Sequence, residues 1–223
     1  MRFIFGAALA ATAVIASPAI ATDFTVSGPY TIPGTGTSGP ASTYPIAFNV
    51  SGQVGTITAV TFTLTGLTHT FSDDLDILLT GPTGQNVMLM SDAGSSSNLN
   101  AVTYTFSQSA ANSLADAGVN ASGTYKPSNY SGSDGANEAI PNVSGPYGSS
   151  LAIFNGLSAN GTWNLYINDD NGGDVGSLRS ATLSITTTGA VPEPATWAMM
   201  LVGFGMVGAV ARRRKSAAKV TFA

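Results

Sequence analysis

Between Thr162 and Asn168 the chain alternates without a break. Trp163, Leu165 and Ile167 fall on one side, and Thr162, Asn164, Tyr166 and Asn168 on the other. A period of two sends successive side chains to opposite faces, so the stretch predicts a strand with one buried face. Thr56 to Leu67 follows the same rule with Ile57, Val60, Phe62 and Leu64 against Thr61, Thr63 and Thr65, β-branched and aromatic residues that suit a half-buried sheet. Ile46, Phe48 and Val50 alternate, as does Val102 to Phe106. Val87 to Met90 returns after a turn at Pro82, Thr83 and Gly84, and Leu178 to Ile185 resumes the pattern after Asn171, Gly172 and Gly173. The chain therefore predicts an all-β body. The Thr face of 56–67 reads as ordinary solvent-facing sheet, since one strand is too little for a surface that binds ice or polysaccharide.

The intervening segments carry weaker patterns. Phe24 to Gly39 predicts an extended lead-in with at most one short strand, and Ser113 to Gly118 a helical turn. Val119 to Ser150 is long and rich in Gly, Ser, Asn and Pro, and predicts a flap whose tyrosines dock on the sheet. Exposed tyrosines that stack on glycans are the alternative for the same residues.

Both ends are addresses rather than body. Arg2, the apolar run Phe3 to Ala16, and the small residues Ala19 and Ala21 form the n-region, h-region and Ala-x-Ala site of a secretory signal peptide. This predicts passage through the Sec machinery, cleavage by signal peptidase, and removal of residues 1–21. The mature chain begins near Thr22 and has no cysteine, so an exported body must stand on its core alone, with a metal as the other available staple. At the other end, residues 195–211 form an uncharged run predicted as a transmembrane helix, followed by Arg212, Arg213, Arg214 and Lys215. Residues 212–223 are then a basic cytoplasmic tail, 189–194 a linker, and 22–188 the body on the opposite side of the membrane. Gly203, Gly205 and Gly208 spell Gly-x-Gly-x-x-Gly, but no strand precedes them, so they do not predict a dinucleotide site.

Charge separates these parts. The whole chain carries a formal −4, yet between Thr22 and Val191 eleven acids face only Lys126 and Arg179. An acidic body excludes nucleic acid as its partner. The acids also cluster, with Asp169, Asp170 and Asp174 in one Gly-bearing turn. Asp74 and Asp76 stand at the start of a strand whose other face holds Leu75, Ile77 and Leu79. If the fold brings both groups to one end of the body, the carboxylates repel unless solvated or shared by a cation, and oxygen ligands suit Ca²⁺. Asp74, Asp76, Asp169 and Asp174 are the candidate Ca²⁺ ligands, with a hydrated polar turn as the alternative. His69 stands alone and is expected to be structural, because a serine-protease triad needs partners that are absent from this chain.

Two resemblances add to this reading. Val191, Pro192, Glu193 and Pro194, the apolar run and the Arg cluster together resemble a PEP-CTERM sorting signal. The resemblance implies an exosortase, a membrane peptidase-transpeptidase of Gram-negative bacteria that make exopolysaccharide, with Pro192, Glu193 and Pro194 as its recognition site, Arg212, Arg213 and Arg214 as the Arg cluster of the signal, and the helix removed or exchanged. THTFSDDLDILLTGPTG and FNGLSANGTWNLYINDDNGGDVGSL resemble the P domain (P/Homo B) that follows the catalytic domain of proprotein convertases, over about residues 32–185. It implies a jelly-roll-like β-sandwich of about eight strands. Asp74, Asn160, Gly161, Thr162, Trp163, Asp169, Asp174 and Gly176 stand at the family's motif positions, and Ala181 replaces a Trp common in the final strand. Together these imply an exported, exosortase-processed surface or extracellular-matrix protein with a non-catalytic body, whose partners are exopolysaccharide or surface proteins. An accessory P domain that supports a separate subtilisin-like protease is the alternative.

Overall fold

A computed structural model describes residues 19–131, 140–189 and 194–214 of the chain. The β-rich part, Pro18–Gly189, and the C-terminal segment belong to separate compact units and are taken in turn.

The β-rich unit is two sheets. One has the order β1 (Ile20–Ile32), β10 (Gly176–Thr187), β4 (Ile57–His69), β7 (Leu99–Ser107) and β8 (Gly123–Tyr125). The other has the order β2 (Gly39–Pro40), β9 (Gly161–Asp169), β5 (Leu75–Thr80) and β6 (Asn86–Met90), and β3 (Ile46–Val50) pairs with β9 alongside β2. All pairings are antiparallel except β7 with β8. Alternation puts Phe48, Val50, Ile77, Leu79, Trp163, Leu165 and Ile167 from one sheet in the same core as Phe62, Leu64, Tyr104, Phe106, Ala181, Leu183 and Ile185 from the other. Phe48 and Phe62 meet edge-on across the two sheets, ring centroids 5.6 Å apart. The architecture is all-β and sandwich-like, with ten strands among the described residues where about eight were expected, two of them, β2 and β8, being only two and three residues long.

The structure corrects several local expectations. The segment expected as a lead-in is thirteen residues of strand β1, paired with β10 from Ile20↔Thr187 to Ile32↔Gly176. Residues 113–118 form no helical turn. Instead the Asn120 amide closes the loop, its Oδ1 accepting from the Ala115 N–H at 2.7 Å and its Nδ2 donating to the Ala115 carbonyl at 3.0 Å. Asp74 ends a 3₁₀ turn (Ser72–Asp74) rather than beginning β5, so it does not share a strand face with Asp76. β9 and β10 lie in different sheets, and the acidic turn at 170–175 crosses between them.

The flap packs as expected on its described residues. Ile140 is buried with Leu78 and Met88 on the outward face of the β5–β6 sheet, and Tyr44, Val143, Tyr147 and Tyr166 pack against them. Tyr44 donates to the Pro141 carbonyl at 2.7 Å and meets Tyr166 edge-on, with ring centroids 5.2 Å apart. Tyr125 packs on Tyr104, and Tyr130 donates to the Leu114 carbonyl.

In the second unit, α1 (Pro194–Arg214) covers the run expected to span the membrane. Proline suits its first position, where the missing N–H costs no helical hydrogen bond. Met199, Leu201, Phe204 and Val207 are exposed, as are Arg212 and Arg213 in its last turn. Among the described residues no helix is long and apolar enough to cross a membrane. The uncharged run rises only about 25 Å against a hydrocarbon core of about 30 Å, and three glycines dilute its apolarity. The helix is therefore present, while its spanning role does not follow from it. The signal segment through residue 18, Pro192 and Glu193 lie outside the described residues. Ala19 and Ala21 are exposed, and Ala21 pairs with Thr186 on β1.

Candidate functional site

The acidic residues converge where β4, β5, β9 and β10 meet. Antiparallel pairing sets Leu75 opposite Asp169 and Gly176 opposite His69, so the Asp74, Asp169 and His69 side chains come together from segments about a hundred positions apart. Gly176 is required here, because a Cβ at this position would overlap the Thr68 carbonyl and the His69 ring. The turn is then tied down by Thr70, which donates to Asp174 Oδ1 at 2.8 Å and accepts from the Val175 N–H at 3.0 Å. The Asp170 N–H donates to the Asp74 carbonyl at 3.0 Å.

His69 and Asp169 are fully buried partners, with Nε2 3.4 Å from Oδ2. The Phe71 carbonyl lies 2.6 Å from His69 Nδ1, and a carbonyl only accepts, so Nδ1 carries a proton. Nε2 then faces a carboxyl oxygen of Asp169 across that 3.4 Å separation. Burial pushes the Asp169 carboxyl above the usual carboxylate range, and the charge of His69 pulls it back. Asp74 is raised to about 6, first by burial and then by the charges of Asp174 and Asp169. Asp74 and Asp174 also share a hydrogen bond, so Asp74 is the member of the group best placed to hold a proton.

Of the four expected ligands, the fold brings Asp74, Asp169 and Asp174 together and leaves Asp76 out. Asp76 is buried on the opposite face of β5, where its charge acts on the Tyr44 hydroxyl. The expectation that both acidic groups act as one is corrected to three members, because the 3₁₀ turn sends Asp74 and Asp76 to different sides. Asp74 Oδ2 and both Asp169 oxygens are buried without a partner at full hydrogen-bond geometry, which a cation would satisfy. Among the described residues, however, no group of three or more His, Cys, Asp or Glu side chains is arranged to hold a metal ion. Sequence reasoning missed the His69–Asp169 pair, which no local spacing signals.

The Asn-Gly-Thr-Trp stretch is an anchor. Asn160 clamps the Gln53 backbone, accepting from its N–H at 2.9 Å and donating to its carbonyl at 2.7 Å. Gly161, at φ +132°, lies against Pro82, where any side chain would collide. Trp163 is fully buried, donates to the Ala159 carbonyl at 2.9 Å, and packs on Phe154 with ring centroids 4.7 Å apart. Ala181, where the resemblance has Trp, is itself fully buried between Val26 and Leu64, so the final strand packs closely there.

No curated protein matches the chain. Among solved structures it is similar to a serine protease of Aeromonas sobria at 15% identity and a TM-score of 0.42, over 76% of this chain and 27% of that one. It is also similar to that protease in complex with its chaperone, at 14% identity and a TM-score of 0.36, over 78% and 28%. The chain thus spans little more than a quarter of the length of either. Within the chain, residues 57–128 match the proprotein convertase P-domain, the stretch from β4 through the flap's first strand, and residues 190–215 match the PEP-CTERM protein-sorting motif.

Proposed function

We propose that the chain is an exported protein of a Gram-negative surface or extracellular matrix, held for a time in the membrane by α1, processed by an exosortase-type peptidase, and left with a non-catalytic β body that binds other surface components. The observation that carries this reading is the sorting motif at 190–215, a Pro-Glu-Pro, helix and Arg cluster attached directly behind a β body. The body supports the non-catalytic part. Its one histidine is buried against Asp169 and Phe71, and among the described residues no nucleophile is hydrogen-bonded to it. The match to a P domain at 57–128 favours a second reading, an accessory module for a separate subtilisin-like protease. Co-purification separates them: a protease recovered with the chain supports the second, and exopolysaccharide or surface proteins without a protease support the first.

Ca²⁺ belongs to this proposal through the buried oxygens of Asp74 and Asp169. A bound ion raises the melting temperature by mass action at millimolar Ca²⁺, and chelator reverses the rise. Identical melting curves with and without chelator remove the ion and leave protons to neutralise the group.

A further inference from the structure

The β4 threonine face, unremarkable on one strand, is continued by its neighbours. Pairing registers Thr25 on β1, Thr182 on β10, Thr63 on β4, Thr105 on β7 and Thr124 on β8 in a single row across all five strands. The next row is Ser27, Ser180, Thr65 and Thr103. Each of these residues is half-buried or exposed, on the face opposite the core. Hydroxyls pair along the row, Thr25 with Thr182 at 2.9 Å and Thr63 with Thr105 at 3.0 Å, which leaves donors and lone pairs directed outward. At the His69 end the same face deepens into a depression of about 500 Å³ lined by Thr68, Ser177, Asn98 and Asn100. Asn98 and Asn100 are both exposed there.

We propose that this face binds an uncharged polysaccharide, with the threonine row as its track and the Asn98–Asn100 depression as a sugar subsite. The charge pattern selects the class. The two rows themselves carry no formal charge; Arg179, exposed and lying over Gly66, adds one cation beside them, but the unit is otherwise acidic, so a polyanion is repelled on balance. Hydroxyl and amide groups both donate and accept, as sugar hydroxyls do, and threonine methyls between them suit sugar C–H faces. β-branched side chains are stiff at χ1, so little entropy is lost on contact. Four inter-strand steps of about 4.8 Å make a track of about 19 Å. Strands twist by roughly 20° each, so a pliant linear polymer follows the row better than the flat lattice of ice.

The assignment rests on the reading of the body as an exported binding module, and its test is arranged to fail separately. The full chain in mild detergent is sedimented with microcrystalline cellulose, incubated with soluble dextran, and mixed with alginate as the polyanionic control, each at low and high salt. The expected result is salt-insensitive retention by an uncharged probe and none by alginate. The combined Thr63→Val, Thr105→Val and Thr182→Val variant keeps shape and β-propensity, and should weaken retention at least about tenfold with an unchanged melting curve. Asn98→Ala with Asn100→Ala should weaken it independently. Retention by neither uncharged probe, equal retention by the valine variant, or reshaping of ice crystals without polymer binding each overturns the assignment. In those cases a surface protein or protease that co-purifies with the chain still sustains the broader reading.

Discussion

Leu78 and Thr63 occupy equivalent places, each outward-facing on an inner strand of its sheet, yet Leu78 is fully buried and Thr63 is not. On the β5–β6 side the outward face is apolar, and the chain covers it with Ile140, Val143 and Tyr147 from the flap. On the β4–β10 side the outward face is hydroxylated, and no described segment covers it. The difference teaches that a period-two strand identifies an inward face, while the chemistry of the other face decides whether the fold must add a third layer. It also divides labour: one outer face is spent on stability, and the other is free to meet a partner.

The sharpest break of that comparison is to place the same charge on both sides. Leu78→Asp buries a carboxylate beneath the flap and should cost about 4 kcal/mol or more, whereas Thr63→Asp should cost at most about 1 kcal/mol. Urea unfolding midpoints read both, and equal losses would mean that the faces do not differ. A second effect tests the end where the sheets meet. The folded state holds a proton on Asp74 up to about pH 6, above the ordinary 3.8. Its stabilising contribution is therefore fully present below the unfolded value and is lost as pH rises through about 6. The melting temperature should fall across that window, and Asp74→Asn should flatten the fall. A melting temperature that rises over the same window would contradict the shared proton.

Smaller still is Tyr44→Phe, which removes the hydrogen bond to Pro141 and should cost about 1 kcal/mol. Amide exchange should quicken in 140–150 and stay unchanged in β4 and β10. Quickening in both sheets would show that the flap is not a local cover. The smallest effect is expected from Thr63→Val with Thr105→Val and Thr182→Val, within about 0.5 kcal/mol of the parent, because hydroxyls facing solvent contribute little to folding.

What was legible in the sequence follows the same division. β3, β4 and β9 are unmistakable because each packs one face on the core, and alternation is the direct trace of that. β1 was underestimated because it is an outer strand, held largely by backbone pairing with β10, and its inward Phe24, Val26 and Tyr30 are only half-buried. The helical turn expected at 113–118 lost to the Asn120 side chain, whose choice of Ala115 no periodicity reports. At the acidic end, convergence of Asp74 with Asp169 and Asp174 was legible as charge. The departure of Asp74 from the Asp76 face turned on a one-residue difference in where β5 begins, and the pairing of His69 with Asp169 on sheet register. The hydroxyl face needed five strands in register before its rows existed at all.

The measurement that bears most directly on the proposed biology is the intact mass of the chain recovered from cells, set against the mass of the translated polypeptide. The account predicts a species in the envelope or medium that has lost residues through about Ala21 and has been cut or exchanged near Pro192 to Pro194. A polypeptide of full mass in the cytosol, both ends intact, would contradict it.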